Sequence, residues 1–66
     1  MSYAIRRLQE VAATPEGFVC DFCTAQPRFI AGPDTHPILV CEQHGEERTD
    51  ILYVFNRTWR VWEDVR

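Results

Sequence analysis

Two short pairs of potential metal ligands constrain this chain more than any other feature. Cys20 and Cys23 are separated by two residues, and Cys41 and His44 repeat that spacing after a spacer of 17 residues. A gap of two residues lets one tight turn present two side chains to the same ion, and zinc takes four such ligands in a tetrahedron. Cysteine pairs separated by about 15 to 20 residues are typical of zinc sites. We therefore predict one structural Zn²⁺ bound by Cys20, Cys23, Cys41 and His44.

The short length of the chain is a further reason to expect a stabilising metal. With 66 residues, a hydrophobic core alone leaves folding marginal, and domains of this size commonly rely on disulfides, a metal or a partner. The apolar fraction of 45% and the charged fraction of 26% are typical of folded proteins. We expect one zinc-binding domain over residues 1–66, with an N-terminal helix (1–14), a zinc module (18–50) and a C-terminal segment rich in aromatic residues and arginine (51–66).

The cysteines leave other interpretations open. A Cys-x-x-Cys pair is also the motif of thiol oxidoreductases, although the βαβ context of those enzymes is missing here. The three cysteines, which cannot all pair within one chain, could instead be unrelated buried thiols. Iron in a cluster usually requires four thiolates, whereas this set has three and a histidine. Zinc is the interpretation that uses all four residues.

A catalytic role for the metal is not expected. Catalytic zinc usually has three protein ligands and an open position for water, whereas four protein ligands close the coordination shell. Zinc deaminases place a His-x-Glu upstream of their Pro-Cys-x-x-Cys motif, and no such partner precedes Cys20. His36 is a candidate fifth ligand, but its place between turn residues favours an ordinary loop histidine. We expect a protein that is not an enzyme.

The rest of the sequence predicts a small α+β fold. From Tyr3 to Ala13 the apolar residues gather on one side of a helical wheel, with Ser2 as the N-cap, which predicts an amphipathic helix. Residues 14–17 have the composition of a stop and a turn. Two short apolar runs, 28–31 and 38–41, flank a dense turn signal and predict a β-hairpin.

The C-terminal third fits two structures. Its residue types favour strand, yet one half of a helical wheel collects Ile51, Leu52, Val54, Phe55, Thr58, Trp59, Val61, Trp62 and Val65. The same wheel places the second ligand pair on its apolar side, although Glu47 and Arg48 also fall there and are compatible with a break. We predict an amphipathic helix that begins at the second ligand pair and runs towards the C-terminus. The alternative is a hairpin that turns near Asn56 and Arg57.

With these elements, the chain resembles the treble-clef group of zinc fingers, in which a zinc knuckle, a β-hairpin and the first turn of a helix surround the metal. The spacing is similar to that of GATA-type fingers, which have cysteine where this chain has His44. The resemblance covers roughly residues 18–55 and implies a fold more than a function, because treble clefs bind DNA, RNA and proteins. GATA-type fingers carry a basic tail, whereas the corresponding segment here mixes arginine with acidic residues.

The C-terminal segment has the residue types of a protein interface. Arg57, Trp59, Arg60 and Trp62 belong to the classes that are enriched at interface centres. We predict an adaptor or regulator module in which these residues bind a protein partner or a second copy of the chain. Leu52 and Phe55 are expected in the core, whereas Trp59 and Trp62 fit a core or a surface position equally well.

Nucleic-acid binding is the alternative function, in transcription or RNA metabolism. It would use Arg6, Arg7, Arg28, Arg57 and Arg60 on one face. The formal net charge of −3 opposes it, because non-specific binding depends on neutralising phosphates.

The sequence also predicts a cytoplasmic protein without a membrane segment. Unpaired cysteines favour a reducing compartment, and Arg6 and Arg7 interrupt the first apolar stretch, so a signal peptide is not expected. The longest apolar run, 51–55, is far shorter than the roughly 20 residues that span a bilayer.

Overall fold

A computed structural model describes residues 3–13 and 17–65 of the chain. In order, the elements are α1 (Tyr3–Ala13), β1 (Phe29–Ala31), β2 (Ile38–Val40), α2 (Glu42–Glu46), β3 (Ile51–Asn56) and β4 (Val61–Asp64). Within the described residues, the strands form one antiparallel sheet of four strands in the order β2-β1-β3-β4. No helix in this part of the chain is long and apolar enough to cross a membrane. The α+β class that the sequence predicts is confirmed.

Helix α1 covers one face of the sheet. It spans Tyr3–Ala13, as its apolar periodicity predicts, while the predicted N-cap Ser2 and residues 14–16 of the predicted turn lie outside the described residues. Val11 is fully buried and packs against Ile30 of β1. The amphipathic pattern of the helix therefore arises from its contact with the sheet.

The predicted β1–β2 hairpin is confirmed and is buried on both faces. Ile30 and Leu39 belong to the hydrophobic cluster that faces α1. Their neighbours Ala31 and Val40 belong to a second cluster that contains Cys20. Because successive side chains of a strand point to opposite faces, the first hairpin lies between α1 and the segments that carry the cysteines.

The predicted C-terminal helix is wrong, and the hairpin alternative is correct. Helix α2 begins after Cys41 but ends at Glu46, with Glu47 as its C-cap. Arg48, which a longer helix would place on its apolar side, instead forms a two-bond ion pair with Asp50, at 2.7 and 2.8 Å. Strands β3 and β4 then pair with each other through the rest of the segment.

The position of β3 in the sheet explains the misleading pattern. β3 lies between β1 and β4, and its pairing with β1 is interrupted by a bulge between Ile51 and Tyr53. The bulge lets these two residues face opposite sides, so that Ile51 packs in the cluster with the cysteines and Tyr53 packs in the cluster with α1. A strand that is covered on both faces has a nearly continuous apolar sequence instead of an alternating one. Such a run fits one half of a helical wheel as well as it fits a buried strand.

The turn between β3 and β4 is organised by Asn56. Its side-chain Oδ1 accepts hydrogen bonds from the backbone N–H groups of Thr58 and Trp59, at 2.9 and 3.1 Å. Its backbone carbonyl accepts from the N–H of Arg60 at 2.7 Å, and Arg60 has the left-handed φ of 56°. Asparagine commonly initiates turns in this way. The chain therefore turns at Asn56, although the apolar residues on either side have helical spacing.

Candidate metal centre

Cys20 and Cys23 lie in a tight turn that precedes β1. The backbone N–H of Cys20 donates to the carbonyl of Ala25 at 2.8 Å, which closes the turn around both cysteines. The N–H of Phe22 donates to the Sγ of Cys20 at 3.4 Å. A hydrogen bond to sulfur favours the thiolate, which is the form that binds metals.

Asp21, between these two cysteines, attaches the turn to the sheet. Its backbone N–H donates to the carbonyl of Leu39 at 2.8 Å, and its Oδ2 accepts from the N–H of Leu39 at 2.8 Å. Leu39 is in β2, an edge strand of the sheet. The two bonds therefore pair backbone groups that an edge strand would otherwise leave exposed. They also fix the position of the cysteine turn beside β2.

Cys41 and His44 are held by the start of α2. Cys41 is the N-cap in an extended conformation, and its Sγ accepts a hydrogen bond from the backbone N–H of His44 at 3.5 Å. The sulfur thus takes the place of the oxygen that usually caps a helix. The prediction that a helical first turn supplies this pair is confirmed.

The structure brings the predicted ligand atoms to tetrahedral spacing. The four atoms all lie within 4.8 Å of one another. His44 Nδ1 is 3.2 Å from the Sγ of Cys41 and 3.6 Å from those of Cys20 and Cys23. The Sγ atoms of Cys23 and Cys41 are 3.7 Å apart.

These distances fit an ion at the centre. With Zn–S near 2.3 Å and Zn–N near 2.0 Å, a tetrahedron has edges of about 3.8 Å between sulfurs and about 3.5 Å between sulfur and nitrogen. A disulfide would instead require about 2.05 Å, and all three cysteines are free. Cys20, Cys23, Cys41 and His44 can therefore hold a metal ion, and the donor set is compatible with zinc.

The pKa values in the group follow from its hydrogen bonds. The backbone N–H of His44 is the main cause that lowers the pKa of Cys41, to about 6. Burial opposes ionisation of Cys20, but hydrogen bonds from backbone groups outweigh it and lower the pKa of that thiol. For Cys23, a hydrogen bond from the backbone of Ala25 favours the thiolate, but burial and the neighbouring thiols raise the pKa. The hydrogen bond with Cys41 is the main cause that raises the pKa of His44.

Gly45 allows α2 to approach the sheet. A Cβ atom at this position would meet the ring of Phe29, with one ring carbon at 2.6 Å, closer than real side chains approach. Gly45 also donates its N–H to the carbonyl of Cys41 at 2.8 Å, in the first turn of the helix. Sequence reasoning missed both Gly45 and Asp21, although each is adjacent to a ligand.

His36 lies apart from the four ligands. It is exposed in the loop between β1 and β2, and its ring stacks on that of Tyr3 with centroids 6.4 Å apart. It does not belong to the group that could hold a metal. This position agrees with the loop histidine that the sequence favours.

The two tryptophans occupy different environments. Trp62 is half-buried, packs against the cluster of α1 and the sheet, and lies 5.2 Å from the ring of Phe55 between centroids. Trp59 is 75% exposed in the β3–β4 turn. Trp62 therefore contributes to the core and Trp59 does not. Leu52 is buried as predicted, and Phe55 is half-buried.

The predicted binding arginines are spread over several elements. Arg57 and Arg60 are exposed in the β3–β4 turn, and Arg6 is exposed on α1. Arg7 lies 3.8 Å from a carboxylate oxygen of Asp21 and stacks over the ring of Phe18. Arg28 is half-buried, with its Nε enclosed by protein. The group is therefore not one exposed basic face, because two of its members are turned towards the protein.

Comparison with known proteins assigns no family to the chain. No protein-family model, no curated protein and no solved structure matches it. Its function is therefore inferred from the ligand group and from the surface.

Proposed function

We propose that this protein is a zinc-stabilised protein-interaction module without enzymatic activity. The observation that carries the proposal is the close grouping of three sulfurs and one nitrogen, which all lie within 4.8 Å of one another. Four of the six distances between them are 3.2 to 3.7 Å. Thiolate and imidazole ligands favour zinc over magnesium or calcium, which prefer oxygen. Four protein ligands complete the shell of a structural zinc and leave no position for a reacting water.

The order of elements around the ligands supports a relationship to treble-clef zinc fingers. A cysteine turn is followed by the β1–β2 hairpin and then by the start of a helix, which together carry the four ligands. Helix α2 is only five residues long, and the β3–β4 hairpin replaces its continuation. In this proposal the metal joins α2 to the cysteine turn at the open end of the first hairpin, where Phe29 of β1 pairs with Val40 of β2.

The exposed β3–β4 turn is the proposed binding surface. Trp59, at 75% exposure, is flanked in the turn by Arg57 and Arg60. Tryptophan and arginine are strongly enriched among the residues that dominate binding energy. The hydrogen bonds that the Oδ1 of Asn56 accepts hold the turn in one conformation, which reduces the entropy lost when a partner binds. Trp62 supports this surface from beneath instead of contacting the partner directly.

Site-specific photocrosslinking in cells of the native organism tests the interaction function. A benzophenone amino acid replaces Trp59, and a matched control carries it at Gln43, which is exposed on α2. We expect one or a few discrete protein adducts, or a dimer of the chain, from position 59 and not from position 43. The same adduct pattern at both positions would contradict the assignment of this surface.

Nucleic-acid binding remains the second candidate because of the same turn. An exposed tryptophan between two arginines is also a platform on which an unpaired base can stack. The net charge of −3 opposes it, as does the contact of Arg7 with Asp21. We expect no mobility shift of RNA or DNA even at about 50 mM salt, where electrostatic binding is strong.

A further inference from the structure

A groove runs beside the β3–β4 turn, and we call it the arginine groove. It has a volume of about 160 Å³ and is lined by Gln26, Pro27, Phe55, Arg57 and Arg60. A narrow cleft adjoins it and shares three of these residues, Gln26, Pro27 and Phe55. The cleft continues to Val11 of α1 and to Trp62. The concave surface therefore extends from the arginines of the turn to the helix.

The floor of the arginine groove is preformed. The backbone N–H of Phe55 donates to the carbonyl of Arg28 at 2.8 Å, and the Phe55 ring packs on Trp62. Pro27 is buried, and its ring fixes the backbone φ angle at this position. An apolar floor that is held by the sheet offers a partner side chain a site without reorganisation.

Arg57, which lines the groove, can exchange its present partner for another. Arg57 lies 3.7 Å from a carboxylate oxygen of Glu42, but both side chains are about two-thirds exposed, at 67% and 63%. Exposed pairs of this kind contribute little to stability. Arg57 can therefore leave Glu42 and bind a carboxylate of another protein with little loss of stability.

The backbone of the β3–β4 turn places Arg60 at the groove. Its φ of 56° lies in the left-handed region, where glycine or asparagine is accommodated with less strain than a long side chain. This conformation belongs to the turn itself, in which the N–H of Arg60 donates to the carbonyl of Asn56 at 2.7 Å. Arginine at this position brings a second cation to the groove.

The geometry points to an acidic peptide as the occupant. We infer that the arginine groove binds an extended segment of a partner protein in which aspartate or glutamate adjoins a large apolar residue. The guanidinium groups of Arg57 and Arg60 bind the carboxylate, which their planar forks match, and the apolar side chain packs on Phe55 and Pro27. This inference rests on the proposed interaction function and names the chemistry of the partner.

Selection from a random heptapeptide display library, with the zinc-loaded protein immobilised, tests the inference. The most enriched peptide is then synthesised with a fluorescent label, and its affinity is measured by fluorescence anisotropy. We expect enriched peptides to contain an acidic residue beside a large apolar one. Arg57→Gln and Arg60→Gln should each weaken binding about tenfold, as expected for a hydrogen bond to a charged group. Arg6→Gln, the same change at an exposed position on α1, should leave the affinity unchanged.

Three results would overturn the inference. The first is no enrichment over the uncoated support, or enrichment of peptides without acidic residues. The second is an affinity for the peptide that is equal in Arg57→Gln, Arg60→Gln and Arg6→Gln. If Trp59→Ser abolishes peptide binding in that case, the interaction function stands and only the assignment of the groove fails. The third is a labelled ten-nucleotide oligouridylate or oligothymidylate that binds more tightly than the peptide and depends on the same arginines, which would identify a nucleic-acid site.

Discussion

The two β-hairpins of the sheet are stabilised in different ways. The β1–β2 hairpin is covered by α1 on one face and by the ligand cluster on the other, and Asp21 bonds to its outer edge. The β3–β4 hairpin joins the sheet through β1, but three of the four residues of β4 are exposed. The first hairpin is therefore the part that a metal bound by the ligand group would organise, and the second is the part that presents residues to solvent.

This difference separates stability from function along the chain. All four ligands are adjacent to the first hairpin, either in the turn before β1 or at the end of β2 and the start of α2. The residues proposed for binding are in the turn of the second hairpin. Changes near the ligands should therefore alter folding, whereas changes in the β3–β4 turn should alter binding and leave folding nearly intact.

Loss of one ligand should have the largest effect. His44→Asn is expected to unfold the protein, because a structural zinc contributes about 10 to 16 kcal/mol and small domains have about 5 to 15 kcal/mol of stability in total. His36→Asn removes the other histidine and should be neutral, since it is an exposed loop residue. Circular dichroism and thermal melting of both variants provide the measurement. Equal melting temperatures for the two would contradict the ligand assignment.

Substitution of each tryptophan compares a half-buried position with an exposed position in the second hairpin. Trp62→Ala should destabilise the protein by about 3 kcal/mol, the lower end of the range for buried aromatic residues, because Trp62 is half-buried. Trp59→Ala should change stability by less than about 0.5 kcal/mol, as is usual for exposed sites. Urea denaturation of the zinc-loaded variants gives both values. Similar losses would place Trp59 in the core and remove the proposed binding surface.

Gly45→Ala tests how closely α2 packs on the first hairpin. Alanine is the better helix former by up to about 1 kcal/mol, so local propensity alone predicts stabilisation. The contact of the new Cβ with the ring of Phe29 predicts a net loss of about 1 to 3 kcal/mol, typical of overpacking. Gln43→Ala, at an exposed position of the same helix, is the control. A more stable Gly45→Ala variant would show that α2 is loosely attached.

A smaller loss of stability is expected from the hydrogen bond at the edge of the first hairpin. Asp21→Ala removes the acceptor of the Leu39 N–H and should cost about 1 kcal/mol, the usual contribution of one hydrogen bond. Asp34→Ala, in the exposed loop between β1 and β2, controls for the change in charge. Hydrogen exchange should show faster exchange of the Leu39 amide in the first variant only. Unchanged protection of that amide would mean that the carboxylate of Asp21 does not help to attach the cysteine turn to β2.

The parts of the fold that local sequence determines could be predicted. The amphipathic period gives α1, turn residues between two apolar runs give the first hairpin, and the spacing of Cys20, Cys23, Cys41 and His44 gives the ligand group. Each of these depends on residues that are close in sequence or on a single shared ion. The same reasoning identified the second hairpin only as an alternative.

The features that were missed depend on neighbours distant in sequence. The apolar run of β3 is continuous because α1 and the ligand cluster cover opposite faces of the sheet, and a single sequence does not reveal those coverings. Gly45 is constrained by Phe29 and Asp21 by Leu39, across separations that no local period marks. The Asn56 turn was detectable, since asparagine is a common turn initiator.

Metal analysis coupled to chelation tests whether a bound zinc ion stabilises the fold. The purified protein is analysed by native mass spectrometry and elemental analysis, and its circular dichroism is then followed while a strong chelator is added. We expect one zinc per chain and loss of structure as the zinc is removed, because binding free energy in such small sites is folding free energy. A chain that retains its structure without any bound metal would contradict this expectation.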